Sequence, residues 1–442
     1  MRGPPATRKL TLAPLVAATW FMVSGGPYGL EELIHEVGFH ASIIVLLVTP
    51  LVWSLPTALM VGELSSAIPE SGGYYAWVRR ALGPFWGFQE AWLSLAASVF
   101  DMAIYPTLFA LYLGKLWPVL GSGMPALALG GAMIAACAAL NVMGARSVGG
   151  ASIVMTLFLL SPFAVLAICA LLHTSVAASS TSIAPRGDFI AGLLVAMWNY
   201  MGWDNASTIA TEVDRPQRTY PIAMVISVTL VALTYLIPVG AVGLTGMDAS
   251  HWDTGSWVDA GTALGGRTLG LAIVLGGVVC AFGMFNALVL SYSRLPVALA
   301  NDGYLPSILT RLHPRTGAPY VAIIVCALAW AACLRLGFAR LVELDVILYG
   351  LSLLLEFIAL FVLRLREPQL PRPFRIPGGL VGAALAGLFP AALIGLALWH
   401  GRAEQAGSLS ALSLGSILVL AGPVIYWASI WVQRRRLALS QS

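Results

Sequence analysis

The chain has 442 residues, of which 59% are hydrophobic and only 10% are charged, and its mean hydropathy is +0.85. Soluble domains carry about a quarter charged residues, so this composition excludes an ordinary soluble protein. The net charge of +4 is spread over short loops rather than gathered in one basic block, which argues against nucleic-acid binding. We expect a single all-α polytopic membrane domain over residues 1–442.

Apolar runs between turn signals predict twelve transmembrane helices. The first run resembles a secretory signal, because Arg2, Arg8 and Lys9 precede it, but no small-residue cleavage site follows, and we interpret it as a span. The predicted spans cover residues 10–36, 40–64, 88–117, 124–142, 150–172, 189–212, 219–245, 268–298, 318–336, 342–363, 379–400 and 408–432.

The basic residues predict how these spans are oriented. With the first residue in the cytoplasm, 18 of the 24 lysines and arginines fall in cytoplasmic segments and 6 on the opposite side. Because cytoplasmic loops are enriched in Lys and Arg, this asymmetry predicts that both termini are cytoplasmic. We expect the protein to lie in the lipid bilayer of the cell membrane.

Two spans contain sequences that disfavour a continuous helix. Span 1 carries Gly25-Gly26-Pro27-Tyr28-Gly29 after Ser24, and span 6 carries Trp198-Asn199-Tyr200-Met201-Gly202-Trp203-Asp204-Asn205. One interpretation is a pair of packing kinks. However, non-helical backbone at membrane depth must line a cavity or bind something, and spans 1 and 6 hold corresponding positions in two five-span halves. This pattern favours inverted repeats with a binding site near mid-membrane.

Short motifs recur in a fixed order along the chain: Gly62-Glu63-Leu64, Pro69-Glu70-Ser71-Gly72-Gly73-Tyr74, Leu82-Gly83-Pro84-Phe85-Trp86-Gly87-Phe88, Asn141-Val142-Met143-Gly144 and Glu212-Val213-Asp214-Arg215-Pro216. With these motifs the sequence, from span 1 to about span 10, resembles the amino acid/polyamine/organocation transporter superfamily. Four stretches look closest to the polyamine uptake transporters of plants and protozoa: Ser24 to Glu31, Phe100-Asp101 with Tyr105-Pro106, Gly202-Trp203-Asp204 and Leu355-Glu356-Phe357.

The resemblance implies a LeuT-like fold with discontinuous helices 1 and 6. Its two inverted five-helix repeats would cover residues 10–172 and 189–363, followed by two peripheral helices at 379–432. The resemblance also implies alternating access to a central site and transport driven by an ion or by exchange. No cofactor or metal is expected.

The resemblance places the substrate between the broken parts of spans 1 and 6. The residues implied on span 1 run from Ser24 to Gly29, with Gly25, Gly26, Pro27 and Tyr28 between them, and those on span 6 are Asn199, Tyr200, Gly202 and Trp203. Half-helix N-termini there can attract an anionic group, and free carbonyls can accept an ammonium. Trp198 matches the position of an aromatic lid in some family exchangers and can also stack on a cation; the alternative is a packing tryptophan.

Buried carboxylates are the strongest individual candidates. Asp101 and Asp204 lie inside apolar spans, where an ionised carboxylate costs at least about 2.5 to 3.5 kcal/mol and usually serves function. Asp101 and Tyr105 are four residues apart, so both can point into the bundle from one helix face. The alternatives are a structural pair for Asp101 and a backbone cap for Asp204.

Three glutamates receive a more structural interpretation. Glu356 has Arg364 eight residues later on roughly the same face, so that a structural pair is as reasonable as a functional role. Glu63 and Glu90 lie near span ends, and we expect them in interfacial networks.

The coupling ion is inferred from a missing residue. Many amino acid transporters of the superfamily carry a lysine three residues before a proline on span 5, in place of a sodium ion. Here Leu159 stands three residues before Pro162, and the chain has lysine only at positions 9 and 115. We therefore hypothesise that Asp204, Asp101 or Glu356 exchanges a proton during transport.

Three classes of function compete. The favoured one is secondary active transport of a cationic or zwitterionic amine, with a polyamine preferred over an amino acid; the alternative transporter is an amino acid permease or exchanger for neutral or cationic amino acids. A non-transporting amine sensor and an intramembrane enzyme are the other classes, but no span shows a His pair, a Ser/His set or a metal cluster. The oligomeric state is not encoded in any recognisable motif.

Overall fold

A computed structural model describes residues 10–70, 72–144, 150–173, 187–402 and 410–440, and this part of the chain is almost entirely helical. A single β-bridge joins Leu10 to Val213. A π-helical turn covers Pro50–Ser54, and a 3-10 helix covers Asp204–Glu212. The helices are α1 (Leu12–Val23), α2 (Glu31–Thr49), α3 (Leu55–Ala67), α4 (Tyr74–Leu82), α5 (Pro84–Gly114), α6 (Gly123–Val142), α7 (Gly150–Leu172), α8 (Phe189–Asn199), α9 (Pro216–Gly243), α10 (Ser256–Asn301), α11 (Tyr320–Ala332), α12 (Phe338–Arg366), α13 (Gly379–His400) and α14 (Ala411–Ser440).

Within the described residues, nine helical stretches are long and apolar enough to cross a membrane. They correspond to predicted spans 2 to 5, 7, 8 and 10 to 12. The apolar helices at predicted spans 1 and 9, Leu12–Val23 and Tyr320–Leu336, are shorter. Span 6 is divided between α8 and the 3-10 helix that follows it. The protein is therefore a multi-pass helical membrane protein.

The boundary between predicted spans 1 and 2 is set by one glycine. Gly38 has φ 74° and ψ 166°, a conformation that L-residues rarely adopt, and it divides α2 into a short first half and a long second half. Gly266, with φ 76°, divides α10 in the same way after a short helix that begins at Ser256. A sharp bend at each glycine lets a short helix lie at an angle to the long helix that follows.

Two helices occur where loops were expected. One is α4, and the other is the first part of α10, ahead of Gly266. On α4, Trp77 is buried while Arg79 and Arg80 are partly exposed and pair with Asp302 and Glu367. Both helices are too short and polar to give a span signal, and they form because one face packs on longer helices.

The centre of the protein is formed by α5 and α12, which pack extensively on each other. In the most apolar stretches of α5 and α12, 78% and 67% of residues are buried, whereas in α13 and α14 only 22% are. The last two helices therefore lie at the periphery. Of the basic residues that predict the orientation, Arg2, Arg8, Lys9, Arg146 and Arg186 lie outside the described residues, as does Ser71 of the second motif.

Candidate functional site

The first span is interrupted between Val23 and Glu31. Gly26 and Gly29 adopt φ values of 107° and 93°, which glycine tolerates and other residues do not. Two of the amides freed by the interruption are bonded inside the protein: Gly26 N donates to Ser24 Oγ at 3.2 Å, and Gly29 N donates to Glu31 Oε2 at 2.8 Å. Side chains of the protein thus satisfy part of the backbone that the break exposes, and non-helical backbone at membrane depth needs such partners.

The sixth span is interrupted in the same manner. The helix α8 ends at Asn199, and Gly202 has φ 90°. Gly202 N donates to Tyr349 Oη at 3.2 Å, and the Asn199 carbonyl accepts from Tyr235 Oη at 2.7 Å. Phenols from α12 and α9 therefore satisfy the backbone groups that the break releases.

The two broken spans lie side by side in opposite directions. Asp214 N donates to the Leu10 carbonyl at 2.8 Å, which joins the start of span 1 to the end of span 6. The helix α1 contacts the 3-10 helix of span 6, and α2 contacts α8. The breaks consequently meet, and a narrow cavity opens between them and helices α5, α9, α10 and α12, with about 40 Å³ accessible to the centre of a water molecule.

Seven of the residues predicted from the sequence line this cavity: Gly25, Tyr28, Asp101, Tyr105, Trp198, Asn199 and Gly202. The rest of the wall is formed mainly by aromatic and apolar side chains, together with the polar residues Asn205 and Asp345. No lysine, arginine or histidine is among the described residues that line it. The cavity is therefore acidic and aromatic, which suits a cation and not an anion.

Asp101 projects into the cavity from α5 and is only 7% exposed. Its Oδ1 accepts from Trp198 Nε1 at 3.4 Å, and its Oδ2 accepts from Tyr292 Oη at 3.1 Å. The Tyr105 phenol, one turn further along α5, is also within hydrogen-bonding reach. Neutral donors thus position this carboxylate without cancelling its charge.

Trp198 stands at the end of α8 with its ring over the cavity. Its ring centroid lies 6.4 Å from that of Tyr105 and 5.6 Å from that of Phe338, edge-on to the latter. Gly29 lies directly behind it, since a Cβ there would be 2.9 Å from Trp198 Cζ3. The indole is held between aromatic neighbours and the span 1 break.

Seven other predicted residues do not line the cavity: Ser24, Gly26, Pro27, Gly29, Tyr200, Trp203 and Asp204. Several of them support the breaks instead. Tyr200 Oη donates to the Leu46 carbonyl at 2.9 Å, Trp203 Nε1 donates to the Tyr200 carbonyl at 2.8 Å, and the Pro27 carbonyl accepts from Trp257 Nε1 at 2.9 Å.

Asp204 lies just behind the cavity wall, 3% exposed, where its Oδ1 accepts from Tyr349 Oη at 2.5 Å. Tyr349 lines the cavity and also accepts from Gly202 N, so this phenol connects Asp204 to the break. Asp204 is therefore next to the cavity without forming its surface.

The expectations for the glutamates need two corrections. Arg364 does not pair with Glu356; it donates instead to Glu63, which Arg372 also approaches at 3.4 Å. Glu90 is not interfacial, because it is fully buried, bonded to Ser94 Oγ at 2.8 Å and close enough to Asp204 for their charges to interact. Glu63 does belong to a network at the end of its helix, as expected.

Glu356 is fully buried, and neither of its carboxylate oxygens has a hydrogen-bond partner in the part of the chain that the structure describes. Its charge lies within interaction range of both Asp204 and Glu90. Three carboxylates from α12, the 3-10 helix and α5 thus approach one another behind the cavity. No group of three or more His, Cys, Asp or Glu side chains among the described residues is arranged to hold a metal ion.

Sequence reasoning missed Asp345, Tyr292 and Tyr349. Asp345 lines the cavity from α12 and is 2% exposed. A signal was present, because Asp345 lies in an apolar span and is followed by Tyr349 four residues later, which repeats the spacing of Asp101 and Tyr105. Tyr292 gave no such signal, since its bond to Asp101 joins residues 191 positions apart.

Comparison with known proteins identifies a family to which the chain is similar. The family model described as "Amino acid permease" matches residues 16–418. The chain is 34% identical to the polyamine transporter RMV1 of Arabidopsis thaliana over 429 residues, which cover 94% of this chain and 87% of that protein.

Two other relatives show the range of the similarity. The polyamine transporter PUT1 of Oryza sativa subsp. japonica is 34% identical over 435 residues, covering 98% of this chain and 80% of that protein. The serine/threonine exchanger SteT of Bacillus subtilis (strain 168) is 27% identical over 345 residues, covering 73% of this chain and 75% of that protein.

Proposed function

The chain belongs to the amino acid permease family, which makes it a membrane transporter and not an enzyme, and we propose that its substrate is a polyamine bound in the cavity between the two broken spans. The observation that carries this proposal is Asp101, a buried carboxylate in a cavity wall where the described residues include no cationic side chain. The relatives named as polyamine transporters agree with it.

The backbone of the breaks supports an amine that lacks a carboxylate. A zwitterionic amino acid would be bound partly by free amides at the half-helix ends. Here the amides of Gly26, Gly29 and Gly202 already donate to Ser24, Glu31 and Tyr349. A polyamine leaves these bonds intact.

A neutral or cationic amino acid is the second candidate substrate. The similarity to a serine/threonine exchanger favours it, because the alignment with that relative, at 27% identity, covers 73% of this chain. An amino acid whose carboxylate accepted from Gly26, Gly29 or Gly202 would have to displace the side chain that now accepts from that amide.

We further propose twelve spans in a LeuT-like arrangement, with repeats at residues 10–172 and 189–363 and peripheral helices at 379–432. The packing supports this, since helices holding corresponding places in the two halves contact each other: α3 with α9, α5 with α10 and α6 with α11. The antiparallel contact of spans 1 and 6 fits the same pseudo-symmetry.

We propose that the protein lies in the cell membrane with both termini in the cytoplasm. The ion pairs support the grouping of segments by side: Arg80 and Arg364 pair with Glu367 and Glu63, all predicted on the cytoplasmic side, whereas Lys115 pairs with Asp253 and Asp259, all predicted on the outer side. The excess of basic residues then assigns the first side to the cytoplasm. Thiol labelling from outside intact cells should therefore modify Lys115→Cys and not Arg80→Cys.

Transport is proposed to be coupled to protons through Asp204, Asp101 or Glu356. Buried carboxylates without cationic partners are suited to this role, because they bind a proton more readily than carboxylates in water do. The buried Leu159 stands where the resemblance expects a lysine in place of a sodium ion, so that mechanism cannot operate unchanged in this chain.

Proteoliposomes containing the purified protein test the proposal. We expect uptake of labelled putrescine or spermidine driven by an acid-outside pH gradient, abolished by a protonophore, and reduced at least about tenfold by Asp101→Asn, since a charge-assisted hydrogen bond is lost. Uptake of serine without uptake of either polyamine would refute the substrate, and uptake unaffected by the protonophore would refute the coupling.

A further inference from the structure

Three carboxylates lie at or just behind the cavity, and they do not receive the same hydrogen bonding from the protein. Asp101 accepts from Trp198 and Tyr292, and Asp204 accepts from Tyr349. Asp345 is 2% exposed and its Oδ2 has no hydrogen-bond partner among the described residues. The cavity wall therefore contains one carboxylate with a buried oxygen that accepts no hydrogen bond from the described residues.

A buried carboxylate without donors is unfavourable unless something else supplies positive charge and hydrogen bonds. No cationic side chain among the described residues lines the cavity. The neighbouring charges make the position less favourable still, because Asp101 and Asp204 are near enough to repel Asp345. A ligand with a protonated amine would relieve both effects at once.

The two carboxylates that form the cavity surface come from different helices. Asp101 and Tyr105 line the cavity from α5, and Asp345 and Tyr349 line it from α12, with the same spacing in each helix. Met284 and Leu288 of α10 add apolar surface to the same wall. Two carboxylates on different helices, together with apolar surface, match a flexible aliphatic chain that carries two ammonium groups.

We propose that Asp345 binds a second ammonium group of the substrate, so that the cavity recognises an aliphatic dication through Asp101 and Asp345. This inference rests on the proposed function and deepens it by naming the residue that binds the second ammonium group of the polyamine. A monoamine occupies only one of the two acidic positions.

Three ligands with the same four-carbon chain test the proposal on the purified full-length protein by calorimetry: 1,4-diaminobutane, 4-amino-1-butanol and 4-aminobutanoate. One end is an ammonium in all three, and the other is a cation, a neutral hydroxyl or an anion. For the unmodified protein, affinity should fall at least about tenfold from the diamine to the amino alcohol, and the aminobutanoate should bind weakest.

The variant Asp345→Asn should bind 1,4-diaminobutane at least about tenfold more weakly and bind 4-amino-1-butanol within about twofold of the unmodified protein, because the first ammonium still meets Asp101. Glu343→Gln is the matched control. Glu343 is also buried on α12 but does not line the cavity, so its variant should keep the original order of affinities.

The results separate this inference from the function on which it rests. Equal affinity for the diamine and the amino alcohol, or an Asp345→Asn variant that keeps the preference, overturns the role of Asp345 and leaves amine transport standing. A protein that binds an α-amino acid and none of the amines overturns both. If Asp345→Asn does not fold, the order of the three ligands on the unmodified protein decides.

Discussion

At the scale of single residues, the contacts of Trp198 depend on its being an indole. Its ring packs against Tyr105 and Phe338, and its Nε1 donates to Asp101 at 3.4 Å. An indole over a desolvated cation contributes about 0.5 to 2 kcal/mol. This side chain therefore couples the aromatic wall of the cavity to its carboxylate.

The variant Trp198→Ala should raise the KM of the transported amine about three- to thirtyfold, the factor that corresponds to a lost cation–π contact. Trp198→Phe should have a smaller effect, because it keeps a ring and loses only the bond to Asp101. Uptake kinetics in proteoliposomes measure both. Trp330→Phe is the control, since Trp330 is buried away from the cavity and its Nε1 has no partner among the described residues; its KM should not change.

Gly29 lies outside the cavity wall but limits the space behind Trp198, which forms part of that wall. Gly29→Ala would add strain at φ 93° and a methyl group 2.9 Å from Trp198 Cζ3, whereas Gly38→Ala would add strain at φ 74° with no atom nearby. Both should lower the apparent melting temperature, but only Gly29→Ala should also reduce uptake per folded molecule. Equal uptake by the two variants would contradict the contact with Trp198.

Prediction from sequence succeeded for residues whose chemistry is unusual for their surroundings. Asp101 and Trp198 were found because a carboxylate in an apolar span and an aromatic residue before a break stand out locally. Tyr200 and Trp203 lie in the predicted break but face away from the cavity, because unwound backbone has no helical period from which to infer side-chain direction. Tyr292 was missed because only the tertiary fold brings it to Asp101.

At the scale of elements, one side chain, that of Glu31, joins the break in span 1 to two neighbouring helices. Glu31 Oε2 accepts from Gly29 N at 2.8 Å, while its Oε1 accepts from Gly255 N at 2.9 Å and from Tyr112 Oη. These bonds join the start of α2 to α5 and to the start of α10. Glu31 therefore fixes the second half of span 1 relative to two neighbouring helices.

The variant Glu31→Gln should destabilise the protein by about 1 to 3 kcal/mol, because the amide keeps one acceptor oxygen and leaves a buried donor unsatisfied. Thermal unfolding in detergent measures the effect. Glu32→Gln is the matched control: within the described residues Glu32 accepts one hydrogen bond, from Thr254 Oγ1 at 3.1 Å, and the amide oxygen of glutamine can accept it equally. A comparable loss for both variants would contradict the role assigned to Glu31.

The breaks themselves were predictable because glycine and proline act locally on the backbone. The sequence Gly25 to Gly29 and the residue Gly202 mark both interruptions correctly. The helix α4 was not predicted, since nine residues with Arg79 and Arg80 give no membrane signal and its stability comes from packing on α5 and α12. Local propensity determines where a helix ends, whereas short surface helices depend on their neighbours.

The ends of α3 and α12 are joined by a buried ion network. Glu63 is fully buried and pairs with Arg364 and Arg372, whose side chains are 7% and 2% exposed. Removing the shared carboxylate would leave two buried guanidinium groups without their counter-ion. Glu63→Gln should therefore lower the free energy of unfolding by about 3 to 5 kcal/mol, measured by thermal unfolding.

The pair of Arg80 and Glu367 provides the exposed comparison. The hydrogen bond from Arg80 lowers the pKa of Glu367, so the small stabilisation from this pair is present above the ordinary glutamate pKa and is lost as pH falls through the lower folded-state value. Glu367→Gln should cost at most about 1 kcal/mol at neutral pH and progressively less as pH falls below the ordinary glutamate pKa. Equal effects of Glu63→Gln and Glu367→Gln would contradict the difference in burial.

For the whole molecule, transport requires that binding in the cavity be linked to a change in the helix bundle. Asp204 lies behind the cavity wall, bonded to Tyr349, and farther back Glu356 and Glu90 interact with it electrostatically. These carboxylates belong to the 3-10 helix of span 6, to α12 and to α5. Binding or release of a proton at these carboxylates therefore changes the electrostatic interactions between elements that must move relative to one another.

Separate measurements of exchange and of net transport distinguish a role of Glu356 in proton coupling from a structural role. Net uptake driven by a pH gradient requires the carrier to bind and release protons, whereas exchange of labelled for unlabelled substrate does not require net proton movement. Glu356→Gln should therefore abolish gradient-driven accumulation while keeping exchange, and Glu90→Gln should shift the pH dependence of accumulation because it removes one neighbour with which Glu356 interacts. Glu343→Gln, on α12 but outside this group, should preserve both activities. If folded Glu356→Gln loses both accumulation and exchange, Glu356 instead has a structural role. If folded Glu356→Gln still accumulates substrate when driven by the pH gradient, Asp101 or Asp204 carries the proton.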